Sequence, residues 1–150
     1  MLRENLQNAL KEAMKNKDMK TVNAVRLIIA GQKEKDVEAR GKGLQQASDT
    51  DLLSMMQTMI KQRNESIRIY IEGNRQDLAD KEQAEIDVIT RFMPKQMNEQ
   101  EIENAIKNAI SEVNANSIKD MGKVMGVLKG KYAGQMDFAV ASTTIKKFLV

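Results

Sequence analysis

At 150 residues, 41% hydrophobic and 30% charged, with a formal net charge of +3, the chain has the composition of a folded protein of one ordinary domain or two small ones. Aromatic residues make up only 3% and there is a single proline, which argues against a loop-rich β architecture and for helices packed with Leu, Ile, Val, Ala and Met. Cysteine and histidine are both absent, which removes disulfides, thiolate or imidazole ligation of zinc, cysteine nucleophiles and Ser-His-Asp triads.

Residues 2–16 place Leu2, Leu6, Ala9, Leu10, Ala13 and Met14 at spacings of three and four, which predicts an amphipathic helix. Lys15 to Lys20 is a polar break. A second helix is predicted from about Thr21 to Ala39, with Val22, Val25, Ile28 and Ile29 on one stripe and a wholly polar continuation; Arg26, beside that stripe, is expected to pair with a carboxylate of the fourth helix. Gly41-Lys42-Gly43 ends it. Ser48 and Asp51 have the spacing of a capping box and open a third helix to about Glu72, with Leu52, Met56, Met59, Ile60, Ile67, Tyr70 and Ile71 inward. Gly73-Asn74 stops it, and a fourth helix follows from about Arg75 to Phe92, with Leu78, Ile86 and Ile89 on its apolar face.

Pro94 disfavours helix at the residue before it, so Phe92 to Lys95 marks a boundary between an N-terminal four-helix domain, 1–93, and a C-terminal three-helix domain, 94–150. In the second domain, Asn98 and Glu101 predict a cap for a helix from about Glu99 to Val113. Ser117 and Asp120 predict a third cap for a short helix carrying Met121, Val124, Met125 and Leu128. A loop is predicted over Gly130 to Gly134, and a last helix from about Met136 to Leu149. The fold class is therefore all-α. The polar start Met1-Leu2-Arg3-Glu4-Asn5 has no secretory character, and the longest apolar run, Leu27 to Ala30, is far short of a membrane span. A cytoplasmic protein with no membrane partner is expected.

The charge is unevenly spread. Residues 1–93 carry 16 basic and 15 acidic side chains, whereas residues 119–150 carry six lysines against Asp120 and Asp137, net +4. A basic stretch on one small module is a footprint for phosphate. Within it, Met121-Gly122-Lys123-Val124-Met125-Gly126 sets two glycines four apart on a short helix, at a cost of about 1 kcal/mol each against alanine. Two explanations stand: another helix packs closely on the bare backbone, or an RNA backbone approaches it beside the lysines. The candidate RNA-contacting residues are Lys119, Gly122, Lys123, Gly126, Lys129 and Lys131. Gly126 to Lys131 is not a nucleotide loop, because Met125 stands where its first glycine belongs and Tyr132 where the magnesium-binding Ser or Thr belongs. Elsewhere, charged pairs such as Arg75 with Asp77 and Glu65 with Arg68 suit surface ion pairing. Glu82, Glu85 and Asp87 form an acidic cluster with nothing nearby to specify a metal. No catalytic residue, metal site or cofactor is predicted.

Phe92-Met93-Pro94-Lys95-Gln96-Met97 and Met121-Gly122-Lys123-Val124-Met125-Gly126 resemble segments of the bacterial YqeY family. So do Ala13-Met14-Lys15-Asn16-Lys17-Asp18, Lys61-Gln62-Arg63-Asn64-Glu65-Ser66 and Gly73-Asn74-Arg75-Gln76-Asp77-Leu78. The resemblance covers nearly the whole chain and implies a four-helix domain followed by a three-helix domain similar to the tail of GatB, the B subunit of tRNA-dependent amidotransferase. It therefore implies tRNA, or a tRNA-modifying or aminoacylation enzyme, as partner, and a family label of carbon–nitrogen ligase with glutamine as amido-N-donor. Glutamine hydrolysis there needs a Ser–Ser–Lys amidase subunit and ATP activation needs a cradle domain, neither of which has a motif here. Two functions follow for test: a non-catalytic accessory protein binding tRNA, or a helical protein–protein adaptor without RNA.

Overall fold

The computed structural model describes residues 1–149, and these form seven α-helices and one short 3-10 turn with no strand. The protein is all-α. Its contacts divide it into two compact units, Met1–Met93 and Pro94–Val150.

In the first unit, α1 (Leu2–Lys15) buries Leu2, Leu6 and Ala13. The chain turns at Lys17, whose φ is 56°. Asp18 then caps α2 (Met19–Gly41), its carboxylate accepting from Thr21 N at 3.2 Å and Thr21 Oγ1 at 2.6 Å. The capping box of α3 (Asp49–Glu72) forms between Ser48 and Asp51. After a turn in which Asn74 takes φ 58°, α4 (Gln76–Thr90) buries Ala79, Ile86, Val88 and Ile89. Helix α1 lies along α2, α3 lies along α4, and α2 packs on α4, so α2 and α4 form the middle of the unit. The core gathers Leu6, Val25, Ile28, Leu52, Met56 and Ile89, each 1% exposed or less. Full burial of such side chains stabilises by about 1.5–3 kcal/mol apiece. Beyond Met59 and Ile60, α3 outruns this core; Ile71, expected inward, is instead 52% exposed.

In the second unit, the segment after Pro94 is held by backbone and side-chain bonds. Met97 N donates to Gln135 O at 2.9 Å, and Gln96 Nε2 donates to Gly134 O at 2.6 Å. Gly134 itself takes φ 76°, the left-handed conformation that glycine adopts without strain. Asn98 and Glu101 form the predicted box at the start of α5 (Glu99–Glu112). The expected cap from Ser117 and Asp120 does not form. Asp120 turns back, its carboxylate accepting from Asn116 N at 3.1 Å, and the chain enters α6 (Met121–Tyr132) through the 3-10 turn Ile118–Asp120. Helix α6 also runs past Gly130, where a loop was expected, because Leu128 is fully buried and Tyr132 packs on the same core. Asp137 caps α7 (Phe138–Phe148) by accepting from Ala139 N at 2.9 Å. The three helices pack on one another around Ile106, Val124, Leu128, Met136, Ala141 and Ile145.

Candidate nucleic-acid interface

The periodicity of α6 decides what its glycines do. Val124 and Leu128 point into the core, fully buried. Gly122 and Gly126 fall on the opposite side, at the four-residue spacing that stacks residues along one face of a helix. Because α6 continues to Tyr132, Gly130 extends the same strip by another turn. A Cβ built on Gly122, Gly126 or Gly130 meets nothing within 4 Å. Among the described residues nothing approaches the strip, so close packing by another helix of the second unit does not explain it.

Lysines flank this strip. Lys123 adjoins Gly122, Lys129 adjoins Gly130, and Lys119 lies one turn before Lys123 in the entry to the helix; all three are exposed and none has an ion-pair partner among the described residues. Lys131 departs from the group. Its position turns it away from the strip, toward α5, where Nζ donates to Glu112 at 2.7 Å and the carboxylate raises the ammonium pKa above its ordinary value. Of the six candidate residues, the structure thus places Lys119, Gly122, Lys123, Gly126 and Lys129 on one face and ties Lys131 to Glu112.

The charged clusters of the first unit are structural in their contacts. Arg63 crosses from α3 to α4, donating to Glu85 at 2.9 Å and to Met59 O at 3.1 Å, with Glu82 at 4.0 Å. Arg26, expected to make that link, is exposed and carries no ion pair among the described residues. Gln83 donates to Asp87, which completes the account of the acidic cluster. Arg68 binds Glu65 and Glu72, and Arg75 binds Asp77, all on the surface. Among the described residues, no group of three or more acidic side chains is placed to hold a metal ion. None of the described helices is long and apolar enough to cross a membrane.

Two features escaped the sequence reading. The first is Asp36, in the part of α2 read as wholly polar. It is buried, bound bidentately by the Arg3 guanidinium at 2.6 and 2.8 Å, and accepts from Ala47 N at 2.9 Å; Arg3 also donates to Ala47 O. The Arg3 hydrogen bonds hold the carboxyl pKa at about 2 despite burial. The second is a cleft of about 760 Å³ where α2 and α3 diverge, floored by Gly31, Met55 and Met59 and rimmed by Glu34, Glu38 and Asp51 among others. Asp36 lies two turns beyond Ile28 and Ile29, but a charge at such a position hides the stripe.

A family model described as Yqey-like protein matches residues 3–149. The protein "Altered inheritance of mitochondria protein 41, mitochondrial" of Lachancea thermotolerans is 33% identical over 111 residues, 73% of this chain and 58% of its own length. The protein of that name from Pyrenophora tritici-repentis is 31% identical over 131 residues, 84% and 70% of the two chains, and that from Candida glabrata 35% identical over 88 residues, 59% and 47%. The chain spans about half the length of the Lachancea thermotolerans and Candida glabrata relatives. Their names place these relatives in mitochondria, which overturns the expectation of a cytoplasmic protein. A polar N-terminal pentapeptide and the lack of a long apolar run were its supports, and neither is a signal that distinguishes the cytoplasm from the mitochondrion.

Proposed function

Because the chain belongs to the YqeY-like family, we propose that it is a non-catalytic accessory protein that holds RNA, tRNA foremost, on the solvent face of α6. The observation that carries this is the coincidence of three exposed lysines, without ion-pair partners among the described residues, with a strip of backbone where an added Cβ meets no described residue within 4 Å. Exposed helical glycines are a standing cost to stability, so a face that keeps three of them has a use for close approach. The resemblance of the second unit to the GatB tail supports tRNA as the RNA. Carbon–nitrogen ligation with glutamine as amide donor, the activity tied to that resemblance, is assigned to a partner enzyme rather than to this chain.

Binding of unfractionated tRNA, followed by fluorescence anisotropy at several salt concentrations, tests the proposal. With Lys119, Lys123 and Lys129 meeting phosphates and Lys131 held by Glu112, log K should fall with log salt at a slope of roughly −2 to −3. Lys123→Ala should weaken all tRNAs alike and make the slope shallower by about 1. No tRNA binding at low salt, or binding untouched by the lysine variants, would sink it.

A second function has its own observation. The cleft between α2 and α3, with an apolar floor and polar rim, has the form that receives a partner helix, which favours the protein–protein adaptor. A partner captured equally by wild type and by the lysine variants, without RNA, would support the adaptor.

A further inference from the structure

The proposed contact face offers groups of two kinds, lysine ammonium and bare backbone, and that chemistry discriminates among forms of RNA. Lys119, Lys123 and Lys129 supply ammonium groups, which act on phosphate as point charges; Gly122, Gly126 and Gly130 supply backbone alone. Single-stranded RNA is held chiefly by stacking its bases on aromatic rings or guanidinium planes, and its sequence is read by planar hydrogen-bonding groups. The second unit places neither on this face. Every basic residue from Pro94 onward is a lysine. Tyr132 and Phe138 pack on the core, and Phe148, 41% exposed, lies at the end of α7 with Lys107 Nζ 5.5 Å from its ring centroid.

A duplex suits such a face better. It presents phosphates of both strands in a fixed array and at high charge density, so counterion release contributes about −0.9 per contact to the salt slope against about −0.7 for a single strand. From Lys119 to Lys129 the face runs about 15 Å at 1.5 Å per residue, long enough to meet several phosphates of one rigid ladder. A flexible strand would have to be ordered to present the same three, with no stacking energy to offset that cost. We propose that the solvent face of α6 takes the phosphate backbone of double-helical RNA, independently of its sequence, in preference to single strands. The proposal presupposes the RNA contact on α6 and specifies its ligand class.

The full chain should be titrated with two 16-base-pair RNA duplexes of unrelated sequence and with a single-stranded 16-mer of uridine. The duplexes should bind on the order of tenfold tighter than the single strand at low salt, with a slope near −2.7 from three contacts of about −0.9 each. They should agree with each other within about twofold, since phosphate contacts carry no sequence information. The triple variant Lys119→Gln, Lys123→Gln, Lys129→Gln replaces only exposed side chains, and an unchanged melting curve will show that it is folded; it should lose the duplex preference. A single strand bound as tightly as the duplexes, or duplexes differing by more than about tenfold, overturns the duplex assignment while leaving RNA binding intact. Absence of binding to all three RNAs overturns the RNA contact itself.

Discussion

A carboxylate buried among helices is stable only when every lone pair facing the interior has a donor. Asp36 meets that demand with the Arg3 guanidinium and the Ala47 amide, and in doing so it pins the start of α1 and the approach to α3 onto α2. The linkage sign follows from its depressed pKa. With a folded value of about 2 against an ordinary 3.8, the carboxylate adds stability that is complete above about pH 4 and is lost as pH falls through about 2. The gap corresponds to about 2 kcal/mol. Asp36→Asn should therefore cost about that much in urea unfolding at neutral pH, and the difference from wild type should close between pH 4 and pH 2. A difference that persists unchanged at pH 2 would mean that the ion pair contributes little. Nothing in the composition of α2 announced this residue: the hydrophobic stripe of Val25, Ile28 and Ile29 gives way to Asp36 and Ala39 at the same spacing, and one buried charge makes an inward face read as solvated.

At the scale of helices, the local signals were legible where they were backbone chemistry and failed where tertiary packing competed. Ser48 with Asp51 and Asn98 with Glu101 satisfy orphan N–H groups within one turn, so the sequence alone locates α3 and α5. Ser117 and Asp120 carry a similar pattern, but Asp120 finds Asn116 N instead and the cap is replaced by a 3-10 turn. Gly130 read as the start of a loop, whereas burial of Leu128 and packing of Tyr132 outweigh one glycine's propensity cost. That extension matters for the candidate site, since it turns two bare positions into three. With a Cβ at Gly122, Gly126 or Gly130 meeting nothing within 4 Å, alanine there should stabilise by up to about 1 kcal/mol each through helix propensity. Thermal melts of Gly122→Ala and Gly126→Ala should shift upward, and tRNA affinity should fall in the same proteins. A lower melting temperature in either would reveal a packing neighbour on the strip. Stabilisation with affinity unchanged would leave the contact to the lysines.

At the scale of the molecule, the question is where the chain yields first. Two segments interrupt the helical pattern in sequence, the one that Gly41-Lys42-Gly43 opens and the boundary around Pro94. The structure separates them. The first ends at Ala47, whose amide and carbonyl are both taken up by Asp36 and Arg3. Before Gln96 the second has only short-range turn bonds, from Phe92 N to Ile89 O, from Met93 N to Thr90 O and from Gln96 Nε2 to Pro94 O; its long-range ties begin at Gln96 and Met97, which bond Gly134 and Gln135, and this leaves the stretch around Pro94 without a clasp like that of Ala47. Proteolysis requires a strand to leave its hydrogen bonds and enter the protease cleft, so bonded loops resist. Trypsin should therefore cut wild-type protein first after Arg91 or Lys95, and each fragment should keep its helical circular dichroism, because each unit holds its own apolar core. Arg3→Ala releases the Ala47 carbonyl and half of the Asp36 partnership, so an early cut after Lys42 should appear in that variant alone. Mass spectrometry of the first digestion products distinguishes the outcomes. If wild type is cut after Lys42 as early as at the Arg91 to Lys95 join, the Arg3–Asp36–Ala47 clasp does not restrain its loop; if the join resists as long as the helices do, the two units do not behave as separable domains.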